Sequence, residues 1–144
     1  MRAPDRSDVD LILRLYELRR EAEMRKARAF VMGFQPKSLE DMLAVLDWTH
    51  PENAHFRQAT SYWEMVADFA VREFLHPEMF ATHCGEAFFV HAKLEPFVSE
   101  LRERGFPRFQ MNMGAAVAKH PVVAERLAAV RKVLAARAKA ALVK

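Results

Sequence analysis

The stretch from Glu52 to Leu75, ENAHFRQATSYWEMVADFAVREFL, decides the fold class. Its apolar residues recur at helical spacing and form a broad aromatic stripe: Phe56, Ala59, Tyr62, Trp63, Val66, Phe69, Ala70 and Phe74. The opposite side is polar, and Asp68 and Arg72 stand at the i,i+4 spacing that suits an ion pair. We therefore predict a long amphipathic helix over Glu52–Leu75, with its aromatic side in the protein core.

The residues that follow predict a second long helix, which folds back on the first. His76–Pro77 separates Glu52–Leu75 from a helical pattern over Pro77–Arg104, and proline suits the first turn of a helix. Two long helices joined so closely are expected to pack as an antiparallel hairpin. Pro96 lies inside the second helix and is expected to kink or divide it near Ala92.

Shorter patterns complete the predicted fold. The sequence S-D-V-D at Ser7 predicts the start of a helix that runs to Gly33, and Ser38 starts a short helix in the same way. An irregular segment is expected over Gly105–Gly114, followed by a basic, alanine-rich last helix. The predicted fold class is all-α, a compact bundle of about five helices built around the antiparallel hairpin, in a single helical domain over residues 1–144.

Composition limits the class of protein. Hydrophobic residues make up 51% of the chain and there are only four glycines, which favours a compact helical protein over a disordered one. The apolar stretches are short and interrupted by charges, so no membrane span is expected. The first residues are charged rather than apolar, unlike a signal peptide, and a single cysteine excludes an intrachain disulfide. We expect a cytoplasmic protein.

Histidine and cysteine concentrate in the segment FLHPEMFATHCGEAFFVHAK, which covers residues 74–93. Residues of one helix that bind the same metal ion stand three or four positions apart. No histidine–cysteine pair of this segment has that spacing, and Cys84 and His91 would lie about 10 Å apart along a helix axis. We therefore expect no metal, no cofactor and no Cys–His catalytic pair, and we interpret these residues as core histidines and a buried cysteine.

Glu73 is the unusual member of the aromatic stripe. Its position beside Tyr62 and Phe69 predicts a carboxylate near the core, where its pKa would rise unless it had a partner. The preferred interpretation is a tether to a helix end or to a nearby histidine or arginine. The alternative is a small-ligand pocket formed by Glu73, His83 and His91 together with the aromatic side chains.

The last helix carries the basic residues of a candidate nucleic-acid surface: Arg126, Lys132, Arg137, Lys139 and Lys144. Such a surface can neutralise phosphates without reading sequence. The same pattern is typical of a solvated helix whose cations complement its C-terminal end. The apolar stripe of this helix is expected to pack on a helix of the same chain or of a partner: Val123, Leu127, Val130, Leu134 and Ala138.

Two further motifs carry a family resemblance. The segments YWEMVADFAVREFLHPEMF and AKLEPFVSELRERGFPRF combine an aromatic-acidic helix start, a turn with Pro and Glu, and an LRER stretch before a Gly-Pro loop. Over about residues 62–120 the chain resembles a bacterial all-helical family known only as a domain of unknown function. The resemblance implies an all-helical fold and assigns no catalytic residue.

The favoured function class is a non-enzymatic, self-associating interaction or structural protein. The chain has eleven phenylalanines and eight methionines, and no phosphate-binding loop or catalytic motif accompanies them. The expected partner is a second copy of the chain or another helical protein. The alternatives are sequence-nonspecific nucleic-acid binding through the basic last helix and a ligand pocket around Glu73, His83 and His91.

Overall fold

The computed structural model describes residues 1–143, which are helical or connecting residues throughout. The elements in chain order are α1 (Arg6–Arg19), α2 (Ala22–Gly33), α3 (Leu39–Leu46), α4 (Asn53–Val71), α5 (Pro77–His83), α6 (Gly85–Leu94), a 3-10 helix (Glu95–Phe97), α7 (Val98–Glu103), α8 (Met111–Lys119) and α9 (Pro121–Val143). The all-α prediction is confirmed. The structure has more and shorter helices than expected, because two of the predicted helices are divided and α8 begins inside the segment expected to be irregular.

The helix α4 lies at the centre of the fold. Most of its aromatic stripe is buried as predicted: Phe56, Ala59, Tyr62, Trp63, Val66 and Ala70. Burying each of the larger side chains contributes about 1.5–3 kcal/mol to the free energy of unfolding. The main partners of α4 are α2 and α8, whereas α5 and α6 meet it through fewer residues. The predicted hairpin is therefore a smaller part of the core than the sequence indicates.

The stripe ends earlier than predicted. α4 stops at Val71, and Glu73 has a φ of 61°, in the left-handed region that side chains other than glycine rarely adopt. This turn redirects the chain, so that Leu75 is buried and Phe74 is 65% exposed. The prediction that Phe74 belongs to the core stripe is therefore wrong.

The predicted helix over Pro77–Arg104 is divided twice. Cys84 leaves the helical conformation, with φ −114° and ψ 41°, so α5 ends at His83 and α6 begins at Gly85. The second division is the 3-10 helix that contains Pro96, close to the break that this proline predicts. Because of the first division His83 is exposed and Cys84 is buried, so the interpretation of His83 as a core histidine is wrong.

Several helices begin where the sequence signals place them. α5 begins at Pro77, and the Ser38 hydroxyl accepts a hydrogen bond from the backbone N–H of Asp41. α1 differs, because Asp5 rather than Ser7 is its N-cap. The Asp5 side chain accepts a hydrogen bond from the backbone N–H of Ser7. The Asp8 side chain accepts one from the backbone N–H of Asp5, which completes the capping box.

The two halves of α9 differ in burial. In its first half Val123, Leu127 and Val130 are buried against the rest of the fold. From Ala135 to Val143 every residue is exposed. No helix within residues 1–143 is both long enough and apolar enough to cross a membrane.

Candidate functional site

The structure places Glu73 at the surface rather than near the core. Its Oε2 lies 3.2 Å from the Lys119 ammonium, which also donates to the carbonyl of Val71. The Lys119 ammonium lowers the pKa of Glu73. The expectation of a carboxylate near the core is therefore wrong, because the left-handed turn directs this side chain to Lys119 at the end of α8.

The two histidines of the predicted pocket have different surroundings. His83 is exposed at the end of α5. His91 is buried on α6 and hydrogen-bonds through Nδ1 to Oε1 of Gln110 at 2.8 Å, and burial lowers its pKa. Within residues 1–143 no hydrogen bond or ion pair joins any two of Glu73, His83 and His91. The geometry therefore gives the predicted pocket no support.

Cys84 is 1% exposed, and burial raises the pKa of its thiol to about 12. A thiol in this setting stays protonated at neutral pH and is a poor nucleophile. In the described part of the chain no group of three or more His, Cys, Asp or Glu side chains could hold a metal ion.

Two of the candidate nucleic-acid residues contact their own fold. The Arg126 guanidinium lies against Gly85, where a Cβ would stand only 3.0 Å from it, so the glycine leaves room for this close approach. The Arg137 guanidinium lies 5.4 Å from the centre of the Phe89 ring, in cation–π geometry.

The other basic residues of α9 differ in their availability. Lys132 and Lys139 are exposed, and Lys144 lies outside the described residues. Arg131 forms a two-point ion pair with Glu95, with nitrogen–oxygen distances of 2.6 and 2.7 Å. The basic side chains within residues 121–143 therefore do not form a single surface that is open to phosphate groups.

An exposed apolar stripe on α1 is a feature that the sequence interpretation missed. Val9, Leu13 and Tyr16 are 45%, 57% and 47% exposed, and they follow one another at i, i+4 and i+7 on the outer side of the helix. We call these three residues the α1 stripe. Their spacing is visible in the sequence, but spacing alone does not tell which of two apolar sides of a helix faces the core.

A buried carboxylate holds α1 in place. Both oxygens of Asp8 accept hydrogen bonds from the Arg2 guanidinium, at 2.6 and 2.7 Å, and the backbone N–H of His76 donates to one of them at 2.7 Å. These donors hold the pKa of Asp8 far below its usual range. The Tyr62 hydroxyl also donates to the carbonyl of Leu15. These bonds fix the side of α1 that faces the core, and with it the orientation of the α1 stripe.

A second candidate surface is a cavity of about 470 Å³ between the end of α2, α6 and the exposed half of α9. We call it the α9 groove. Its lining includes Met32, Phe89, Lys93, Leu134, Arg137 and Ala138. Leu134 and Ala138 continue the apolar stripe by which the first half of α9 packs, so the groove lies where that stripe extends beyond its partner helices.

Lys93 closes one side of this groove. Its ammonium donates to three carbonyl groups at the end of α2, those of Val31, Met32 and Phe34, the last two at 3.1 and 2.8 Å. Burial lowers the pKa of Lys93 to about 8. A cation at this position satisfies the unpaired carbonyls of a helix C-terminus and complements its dipole.

The fold and these surfaces define a small all-helical protein whose distinctive features are two exposed apolar regions. Residues 6–119 match the family described as Domain of unknown function (DUF4760), and the chain belongs to that family. The predicted resemblance over about residues 62–120 is thereby confirmed, and the match also includes α1 and the α1 stripe. α9 follows the matched region. Comparison with curated proteins and with solved structures finds no match.

Proposed function

We propose that this protein is a non-enzymatic interaction domain that self-associates through the α1 stripe. The observation that carries the proposal is the row of three large apolar side chains, each close to half exposed, on one side of one helix. A contiguous exposed apolar surface of this kind is typical of an interaction site. A helix seam with this i, i+4, i+7 spacing pairs with another helix of the same pattern.

A second copy of α1 fits this surface in an antiparallel arrangement about a two-fold axis. A register that sets Val9 opposite Tyr16 of the second copy brings the two Leu13 side chains close to the axis. The same register sets Asp5 opposite Arg20 of the second copy, twice by symmetry, and both residues are exposed. In this arrangement both the spacing of the apolar side chains and the charges of the two helices are complementary.

The test is the concentration dependence of the molecular mass, measured by native mass spectrometry and by light scattering after size exclusion. We expect the wild-type chain to form dimers and Leu13→Glu to form monomers, because the substitution places two like charges near the axis. Val133→Glu is the matched control, since it changes an exposed apolar residue of α9 outside the α1 stripe and should leave the dimer intact. A monomeric wild-type chain at high concentration would contradict the proposal.

The ion pair between Asp5 and Arg20 of the second copy can be tested separately. Arg20→Ala removes both symmetry-related pairs and should weaken the dimer at most about thirtyfold, because each exposed ion pair contributes at most about 1 kcal/mol, and the effect should disappear at high salt. Sedimentation equilibrium at two salt concentrations measures it. An effect of equal size at both salt concentrations would count against the register.

Nucleic-acid binding and a cytoplasmic location stay predictions. Nucleic-acid binding has less support than self-association, since Arg131 pairs with Glu95 and Arg137 lies on Phe89. Lys132 and Lys139 are exposed cations of α9 that could contact phosphate. A gel shift with duplex DNA and with RNA at low ionic strength, repeated with both lysines changed to glutamine, tests this alternative.

A further inference from the structure

The α9 groove has the size and lining of a small-molecule site. Its volume of about 470 Å³ falls within the range of ligand pockets, roughly 300–1,000 Å³. Most of its wall is apolar, with Met32, Phe89 and Leu134 as the larger side chains and alanines of α9 as the smaller ones. The alanines leave an open slot in which a flexible apolar chain could lie along the helix.

The charge of the lining is of one sign. Lys93 and Arg137 are the charged residues of the wall, and no aspartate or glutamate lines it. The three protons of the Lys93 ammonium are donated to carbonyl groups of α2, so this residue contributes positive potential rather than a direct contact. The charged donor left for a ligand is Arg137, which forms no ion pair with any of residues 1–143.

Arg137 is also well placed to hold a carboxylate. The centre of its guanidinium lies 5.4 Å from the centre of the Phe89 ring, at the edge of the groove wall, and a guanidinium carries a planar set of N–H donors. Guanidinium groups bind carboxylates through two parallel hydrogen bonds, which gives both strength and orientation. An apolar slot with one such donor in its lining is complementary to a molecule with an apolar chain and one anionic end.

We propose that the α9 groove binds a free alkyl carboxylate, with the carboxylate on Arg137 and the alkyl chain against Met32, Phe89 and Leu134. No residue of the α1 stripe lines the groove, so this inference stands apart from the proposed self-association.

The test uses sodium octanoate as the probe and the full chain as the protein. Isothermal titration gives the dissociation constant, and backbone NMR shifts locate the binding. We expect saturable binding with shifts at Phe89 and Ala138, and about tenfold weaker binding for Arg137→Gln, the size expected for the loss of a charge-assisted hydrogen bond. Lys139→Gln is the matched control on the same helix, since Lys139 is exposed and outside the lining, and it should bind octanoate as the wild type does.

Two further measurements separate this proposal from nonspecific effects. Ala138→Phe should fill the slot and abolish binding while the thermal unfolding temperature stays the same, because Ala138 is exposed. The neutral analogue 1-octanol should bind at least about tenfold more weakly than octanoate, because it cannot form the charged contact.

Four results would overturn the proposal. They are the absence of saturable octanoate binding, equal weakening by Arg137→Gln and Lys139→Gln, equal affinity for octanol and octanoate, and binding to anionic phospholipid vesicles without binding to dissolved octanoate.

Discussion

At the scale of single residues, Asp8 shows how a charge becomes part of a core. Its side chain is fully buried, yet each oxygen receives donors: the Arg2 guanidinium, the N–H of Asp5 and the N–H of His76. The carboxylate joins the start of α1 to the turn between α4 and α5. Replacing one of the two oxygens by an amide NH2 group leaves some of these donors without an acceptor, and that loss costs more than the bonds themselves contribute.

Asp8→Asn is therefore expected to lower the free energy of unfolding by about 1.5–3 kcal/mol at pH 7. The folded state depresses the pKa of Asp8, so its contribution is present above the ordinary aspartate pKa near 3.9 and is lost as the pH falls. The variant should accordingly lose less stability than the wild type between pH 5 and pH 3, roughly the window in which an unfolded aspartate titrates. Urea unfolding at several pH values measures both effects.

The control for this prediction is Asp10→Asn, an exposed aspartate of the same helix, which should change the stability by less than about 0.5 kcal/mol. Equal effects of the two substitutions would show that Asp8 acts only through the net charge of the chain.

Cys84 gives a second prediction at this scale. Because burial raises the pKa of its thiol to about 12, the native protein should react with a disulfide reagent at pH 8 at least about a hundredfold more slowly than glutathione does. The same protein in denaturant should react at the rate of an ordinary thiol. Absorbance of the released chromophore measures both rates, and rapid labelling of the folded protein would be inconsistent with the burial of Cys84.

At the scale of elements, the end of α4 decides the path of the chain. Glu73 adopts a left-handed conformation that costs a residue with a side chain about 1 kcal/mol or more. In return the turn buries Leu75 and places the Glu73 carboxylate on Lys119, although such an exposed ion pair contributes at most about 1 kcal/mol.

Two substitutions separate these contributions. Glu73→Ala removes the ion pair and keeps the backbone strain, whereas Glu73→Gly removes both. We expect Glu73→Gly to be more stable than Glu73→Ala by about 1 kcal/mol, since glycine adopts this conformation without penalty. Chemical unfolding of the two variants gives the difference, and a more stable alanine variant would contradict the assigned turn.

At the scale of the whole molecule, α9 is divided between packing and exposure. A chain that ends at Leu134 should lose less than about 1 kcal/mol of stability, because residues 135–143 are all exposed. A chain that ends before Val130 also loses a buried core residue and should lose at least about 2 kcal/mol more. Circular dichroism during urea unfolding compares the two, and a similar loss for both would mean that the second half of α9 also stabilises the fold. The chain that ends at Leu134 also lacks most of the α9 wall of the α9 groove, so it should not bind octanoate.

The strongly periodic segments were predictable from the sequence, and the reason is local. The aromatic stripe of α4 and the valine–leucine stripe of α9 face the core because a helix with one apolar side must bury it. Ser38, Pro77 and Pro121 start helices because capping and the fixed φ of proline act within one turn. These features depend on residues a few positions apart, which a single sequence contains in full.

The features that carry the proposed function depend on residues far apart in the chain. α1 has apolar residues on two sides, and only the bonds from Arg2, His76 and Tyr62 decide that the α1 stripe faces solvent. The α9 groove is formed by the end of α2, by α6 and by α9, which are far apart in the sequence.

By itself, therefore, the sequence determined an all-helical protein of this family, the main helices and the core of α4. The tertiary structure alone decided that His83 is exposed, that Glu73 pairs with Lys119, and which apolar side of α1 remains open. The physical reason is that helix propensity and periodicity are set within a turn or two. Burial and hydrogen bonding are instead set by neighbours that lie up to 74 residues away, as for the carbonyl of Arg2 and Nε2 of His76.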